Sequence, residues 1–481
     1  MGQRTTTLIT GGTVVSSDGA VAQDVLVEGE RIAALLPPGG GPSADVADVA
    51  DVADVIDRVI DATGRYVLPG GVDVHTHMEI PFGATTSSDT FATGTVAAAW
   101  GGTTTIVDFA VQRKGERVLD GLEAWHAKAA GRCAVDYGFH MIVGDVTGES
   151  LRLFDRLADE EGITSVKLFM AYPGVYYSDD GQLLQAMQAA ARTGTMVMLH
   201  AENGPAIDVL VRQALERGDT DPIHHGLTRP VALEEEATFR AIKLAEVAGS
   251  PVYIVHMSAG PAVARVAEAR AAGANVFGET CPQYLYLTLE DHLGAPGFEG
   301  AKWACSTPLR SRHEGHQRDL WRALRHDDLQ VVSTDHCPFC FKEQKELGIG
   351  DFSRIPNGIG SVEHRMDLLY QGVVDGHLSL PRWVDVACTT PARLFGLYPR
   401  KGVLAPGSDA DIVVYDPTAT QTLGVATHHM RIDHSAYEGI EIRGRVETVL
   451  SRGRVVVADG EFHGAPGHGR YLRRSPSDLL V

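Results

Sequence analysis

His75 and His77 stand two residues apart in the stretch "GGVDVHTHMEI". Residues i and i+2 of an extended strand share a face, so both imidazoles point the same way and can chelate one metal ion. Further along, His200 closes "MVMLH", His256 closes "VYIVH" and Asp335 closes "VVSTD", each behind a short apolar run that reads as a buried strand. A single histidine at a strand end is ordinarily a hydrogen-bonded core residue. Four histidines and one aspartate at the ends of four separate strands form a pattern that metal ligation explains. Such a set can hold one divalent ion with ligands to spare, or two ions if another group bridges them.

Lys167 supplies a candidate bridge. It sits inside the apolar run "ITSVKLFMAYPG", where an ammonium is costly to desolvate unless it loses its charge or gains a partner. Taken alone, the stretch reads as a lysine that snorkels past the strand end. Beside the histidines a different chemistry opens. A neutral lysine amine can add carbon dioxide and become a carbamate, an anion whose two oxygens can each reach one ion. Two divalent ions ~3.5–4 Å apart can share a hydroxide that is nucleophilic at neutral pH and can polarise a carbonyl.

These residues need a scaffold that gathers strand ends. Eight strand candidates alternate with amphipathic helical stretches through the middle of the chain: "YVLPGGVDVHTH", "TTTIVDFA", "AVDYGFHMIVG", "SVKLFMAY", "MVMLHAENG", "VYIVHMSAG", "NVFGETCPQY" and "LQVVSTDHCPF". Eight βα units predict an α/β fold of the TIM (β/α)8 type, with chemistry at the C-terminal strand ends. An open doubly wound sheet would carry a Gly-rich phosphate fingerprint after its first strand, and "PGGVDVHTH" is not one. Both chain ends show short β-rich runs broken by turns, including "TLITGGTVVSSDG" near the start and "GRVETVLSRGRVVVADGEF" near the end. They are expected to combine into one small β-sandwich. The predicted division is residues 1–65 for the first part of the sandwich, 66–400 for the catalytic barrel, and 401–481 for the rest of the sandwich and a tail. Within the first part, four Ala-Asp-Val copies from Ala44 to Val55 fit neither helix nor strand period and predict an acidic, poorly ordered loop over about 38–55.

Composition narrows the partners. The chain has 481 residues, with 42 Lys plus Arg against 62 Asp plus Glu, a net charge of -20. That excess of negative charge disfavours nucleic acid and anionic membranes. No apolar run reaches the ~18 residues a membrane helix needs. "MGQRTT" fits the loose myristoylation pattern, but "TLITGGTVV" follows at once as a first strand, and no signal-peptide h-region is evident. The cytoplasm is the expected compartment. The six cysteines are scattered, and the single Cys337-x-x-Cys340 pair in "DHCPFC" reads as packing.

In matching order over most of the chain, "PGGVDVHTHMEIPFG", "GGTTTIVDFA", "VKLFMAY", "LHAENG", "VHMSAG", "GETCPQYL", "STDHCPF", "IPNGIGSVEHR" and "GSDADIVVYDP" resemble the cyclic amidohydrolases of the amidohydrolase superfamily, in the dihydropyrimidinase and D-hydantoinase branch. The resemblance implies two divalent ions, normally Zn2+. His75, His77, N6-carboxylated Lys167 and Asp335 would hold the first; Lys167, His200 and His256 the second; a hydroxide would bridge them. It implies hydrolysis of the cyclic amide bond of a small ureide ring to an N-carbamoyl amino acid. Asp335 would be the general base and then the general acid, and Tyr172 the donor to the tetrahedral oxyanion. Backbone groups of Ser306, in "CSTPLR", and Asn357, in "PNGIG", would grip the ureide; Thr307 departs from the family's usual Ser-Pro-Pro there. Ile80, Phe82, Phe169 and Tyr176 would line the pocket for the ring's exocyclic substituent. The arginine with which dihydroorotases bind an acidic substrate is missing from "MEIPFG", so dihydropyrimidines and 5-substituted hydantoins are the expected substrates. An allantoinase with the same metal site is the alternative. Scaffold relatives that have lost metal ligands fit poorly, because every ligand position here is metal-competent. Deacetylases or deaminases of the same barrel fit poorly too, since they usually lack the lysine and the "PNGIGSVEHR" segment. The resemblance also implies a homotetramer.

Overall fold

The computed structural model describes residues 5–40 and 56–480; the Ala-Asp-Val repeat lies outside them. Its centre is an eight-stranded, all-parallel sheet made of β1 (Gly71–Thr76), β2 (Thr103–Gln112), β3 (Asp136–Val143), β4 (Ser165–Phe169), β5 (Met196–His200), β6 (Val252–Ile254), β7 (Val276–Thr280) and β8 (Val331–Val332), in chain order. Beyond β8, His336 bridges in parallel to Thr76, and the His77 N–H donates to the His336 carbonyl at 2.9 Å. The sheet therefore closes on itself beside the residues of interest, as the TIM-barrel expectation requires.

Every residue of β1 to β8 is buried. These strands face side chains on both surfaces, which is why they read as continuous apolar runs. The helix Asp180–Thr193 between β4 and β5 shows the local logic. Asp179 caps it by accepting from the Gln182 N–H, the Gln182 side chain answers the Asp179 N–H, and Gly194 ends it at φ +66°. Its buried face carries Leu183, Ala186, Met187 and Ala190, the i, i+3, i+4, i+7 spacing of a helix laid against a sheet.

The two chain ends do build one sandwich. A four-stranded sheet comes wholly from the N-terminal segment, while a seven-stranded sheet interleaves both ends. In the latter, Tyr66–Pro69 lies between Ile412–Thr422 and Thr13–Val15. Ile9, Val25, Val27 and Val67 share a core with Ala410, Ile412, Val414 and Leu450. Tyr66–Pro69 falls on the barrel side of the division expected at residue 66, yet pairs with the sandwich and then runs directly into β1. The tail returns to the barrel: the Leu472 N–H donates to the Tyr137 carbonyl at 2.7 Å, and Arg474 reaches Ser165 at 2.8 Å. Among the described residues no helix is long and apolar enough to cross a membrane.

Candidate active site

Closure of the barrel brings all six candidate ligands to one end. Nε2 of His75, Nε2 of His77 and Oδ1 of Asp335 form a triangle with sides of 3.2, 3.1 and 3.2 Å. Tetrahedral zinc with bonds of ~2.0–2.2 Å sets its ligand atoms roughly 3.3 Å apart, so the triangle has the right edge. Its electrostatics fit as well. Glu279, at the end of β7, hydrogen-bonds Nδ1 of His75 and accepts from Tyr253 Oη at 2.8 Å and Ser333 Oγ at 2.7 Å. A proton on Nδ1 leaves the Nε2 lone pair facing the centre. Burial and the Lys167 ammonium oppose a charge on His75, yet Glu279 and Asp335 raise it above the usual imidazole range. Burial pushes His77 down to about 4. Burial also works against a charged Asp335, but His75 and His77 outweigh it and hold that carboxyl well below its ordinary range. The neutral imidazole of His77 and the ionised carboxylate of Asp335 face a shared centre and suit a cation, whose arrival would displace any second proton from His75.

Lys167 Nζ lies 3.0 Å from His75 Nε2 and over the Phe109 ring at 4.5 Å. It is 1% exposed, so it does not snorkel. Burial lowers it to about 8, against the pull of Asp335 and Glu279, so a neutral, nucleophilic amine is accessible near neutral pH. In the same cavity, the rings of His200 and His256 stand 4.6 Å apart, and those of His75 and His256 5.5 Å. Glu202 holds His200 Nε2 at 2.7 Å, which leaves Nδ1 for a ligand. The Nδ1 atoms of His77 and His256 are buried without a hydrogen-bond partner.

Three site residues hold left-handed backbone conformations: Tyr172 at φ +60°, His256 at +39° and Asp335 at +50°. Such geometry costs about 1–3 kcal/mol per residue and persists where surrounding contacts enforce it. Here the Thr307 hydroxyl donates to the His256 carbonyl at 2.9 Å and the His256 N–H to Glu279 at 3.2 Å. Thr307, the departure from Ser-Pro-Pro, thus has a local task. Asp108 of β2 accepts from the Thr76 hydroxyl and the Met78 N–H, both at 2.8 Å, and so holds the residues on either side of His77.

Above the triangle lies a cavity of about 320 Å³. His77, Lys167, His200, His256 and Asp335 form its floor, and Ile80, Phe82, Phe169, Tyr172, Tyr176, Ser306 and Asn357 contribute walls. Phe169 and Tyr176 stack with ring centroids 5.2 Å apart. Burial pushes the Tyr172 hydroxyl up to about 12, so it stays protonated and can donate. Cys337 also lines the wall; all six cysteines are free.

Residues 66–456 match the model of the amidohydrolase family. The chain belongs to the amidohydrolase family. Within it, the enzyme is 61% identical over 475 residues to the D-hydantoinase of Streptomyces coelicolor, with 99% of each chain covered. It is 47% identical to the D-hydantoinase of Geobacillus stearothermophilus over 99% of this chain and 98% of that one. The crystal structure of dihydropyrimidinase from Brevibacillus agri superposes with a TM-score of 0.93 at 47% identity, covering 98% of this chain and 99% of the other. The enzyme is therefore a cyclic amidohydrolase of the hydantoinase and dihydropyrimidinase branch, in a metal-dependent family, and it hydrolyses cyclic amides.

Sequence reasoning passed over Glu202, Glu279 and Asp108. Glu202 stands two residues after His200, just past the end of β5, and Glu279 ends the apolar run "VFGE". A buried acid at such a place is itself a signal. Because Glu279 orients His75, E279Q is expected to weaken metal affinity by about 10–100-fold. Titration with a competing chelator measures it, and excess metal should recover most turnover.

Proposed function

We propose that the enzyme opens dihydropyrimidine and 5-substituted hydantoin rings to N-carbamoyl amino acids. The observation that carries this reading is the convergence of His75, His77, Lys167, His200, His256 and Asp335 beneath a largely apolar cavity. His75, His77 and Asp335 would hold one divalent ion, His200 and His256 a second, and Lys167 as its carbamate would join both; zinc is the ion the resemblance favours. When bound, such a pair supplies a hydroxide at neutral pH and an electrophile for the carbonyl.

The protein's own groups do the rest. Asp335, ionised at the cavity floor, accepts the proton of the attacking water and delivers it to the departing ring nitrogen. Tyr172 offers its hydroxyl to the oxygen that gains charge as the carbonyl carbon becomes tetrahedral. Ser306 and Asn357 line the cavity beside the Tyr172 hydroxyl and would present backbone groups to the ureide. Ile80, Phe82, Phe169 and the Tyr176 ring enclose the substituent, so hydrogen, alkyl and aryl groups fit better than charged ones. No arginine follows His77 in "MEIPFG", which leaves an acidic ring without a partner. The homotetramer proposed with this reading rests on the resemblance, and light scattering checks it; the cytoplasm is the compartment proposed.

The test is ring opening by zinc-loaded, bicarbonate-treated enzyme on dihydrouracil, hydantoin, 5-phenylhydantoin, allantoin and dihydroorotate. Turnover of the first three is expected, with little of the last two. Turnover confined to allantoin would overturn the substrate assignment while keeping the site.

A further inference from the structure

Lys345 lies in the polar stretch "FKEQKELGIGD", where a lysine ordinarily faces water, yet it is 0% exposed. An ammonium has three donors and no acceptor. Each donor finds a backbone carbonyl: Ala304 at 3.0 Å, Pro356 at 2.7 Å and Gly358 at 2.9 Å. Among the described residues no carboxylate pairs with it. Burial pulls it down to about 7, and carbonyl oxygens gathered on the charged form oppose that fall.

The three carbonyls belong to the two chain segments that carry Ser306 and Asn357 to the cavity wall. The segments also touch directly, through Gly358 N–H to the Ala304 carbonyl at 2.9 Å and Asn357 Nδ2 to Ser306 Oγ at 3.2 Å. The ammonium fastens them from behind. A trans peptide directs its N–H opposite to its C=O. With the Pro356 carbonyl turned to Lys345, the Asn357 N–H points away from the lysine, and among the described residues it meets no acceptor. A cation on the carbonyl oxygen draws density through the amide and strengthens its N–H as a donor. Filling that space needs no charge: methionine has similar length and no ammonium to desolvate.

We infer that Lys345 is the positioning residue for ureide recognition, fixing and polarising the Pro356–Asn357 peptide so that its N–H receives an oxygen of the substrate ring. The assignment rests on the cyclic-ureide reading above. It predicts a defect in binding shared by every ring with the same ureide, whatever its substituent.

The test compares wild type with K345M for metal content, kcat and KM on hydantoin and 5-phenylhydantoin. K345M is expected to keep its metal and a kcat within about threefold, while KM rises about tenfold, the loss of one charge-assisted contact. The factor should be the same for both rings. An unchanged KM overturns the inference, and so does a rise confined to the phenyl ring, which would mark a deformed substituent pocket. If K345M does not fold, K345Q, which keeps two donors but no charge, is measured in the same way with a smaller common rise expected. Failure of both to fold overturns the positioning role in favour of a structural one. Failure of the cyclic-ureide reading shows separately, as a wild type that opens neither ring, and it removes this inference as well.

Discussion

Replacing Lys167 with alanine is expected to strip the enzyme of the two metal ions proposed above and lower ring opening by on the order of 10⁴-fold or more, about 5.4 kcal/mol of transition-state stabilisation. The size follows from position. Lys167 Nζ lies 3.0 Å from His75 Nε2 and lines the same cavity as His200 and His256, so its carbamate would be within reach of both proposed ligand sets. Its amine becomes an anion only by adding carbon dioxide, with loss of one proton. Metal loading of the wild type should therefore rise with bicarbonate, whereas K167A should not respond to it. The truncation leaves a slot about the length of a short carboxylic acid, so acetate or propionate should restore part of both metal content and turnover. Metal analysis of purified K167A, with circular dichroism to confirm the fold, is the direct measurement. A K167A protein with two ions and full turnover would eliminate the carbamate bridge.

What the sequence disclosed and what it concealed divide along a physical line. His75, His77, His200, His256 and Asp335 were legible because each ends an apolar run, and a polar residue breaking such a run at a constant place in a repeating βα unit stands out. Lys167 was legible for the opposite reason, as a charge inside an apolar run. Lys345 was not, because "FKEQKELGIGD" mixes it with Lys342, Glu343 and Glu346 and local composition reads as a solvated turn. Its burial depends on segments distant in sequence, whose Ala304, Pro356 and Gly358 carbonyls close over that turn. Glu202 and Glu279 were overlooked because their partners, His200 two residues away and His75 across the barrel, become evident through side-chain direction and closure. The strand Tyr66–Pro69 looked like the start of β1, since an extended chain crossing from sandwich to barrel leaves no turn signal at the border. The tail's return to the barrel rests on isolated backbone pairings such as Leu472 to Tyr137, which no periodicity announces.

Asp335 allows the sharper dissection of the chemistry. Its backbone sits at φ +50°, a region where asparagine is one of the few residues readily accommodated. D335N therefore changes the charge while sparing the fold, and an amide oxygen remains where Oδ1 meets His75 and His77 at 3.1 and 3.2 Å. An amide accepts no proton at neutral pH, so the transfer from water to ring nitrogen loses its carrier, and kcat is expected to fall about 10²–10⁴-fold. KM should change little, because the residues proposed to grip the ureide, Ser306 and Asn357, are untouched. Weaker ligation by the amide predicts a lower affinity for the ion at the triangle, so the kinetics are to be measured at saturating metal. The ring itself supplies a further check. Hydantoin, whose leaving nitrogen is the more acidic, depends less on being protonated than dihydrouracil does. D335N should therefore slow dihydrouracil more than hydantoin. Equal losses on the two rings would leave Asp335 as a ligand and base for the water and remove it from the second transfer, the one to nitrogen.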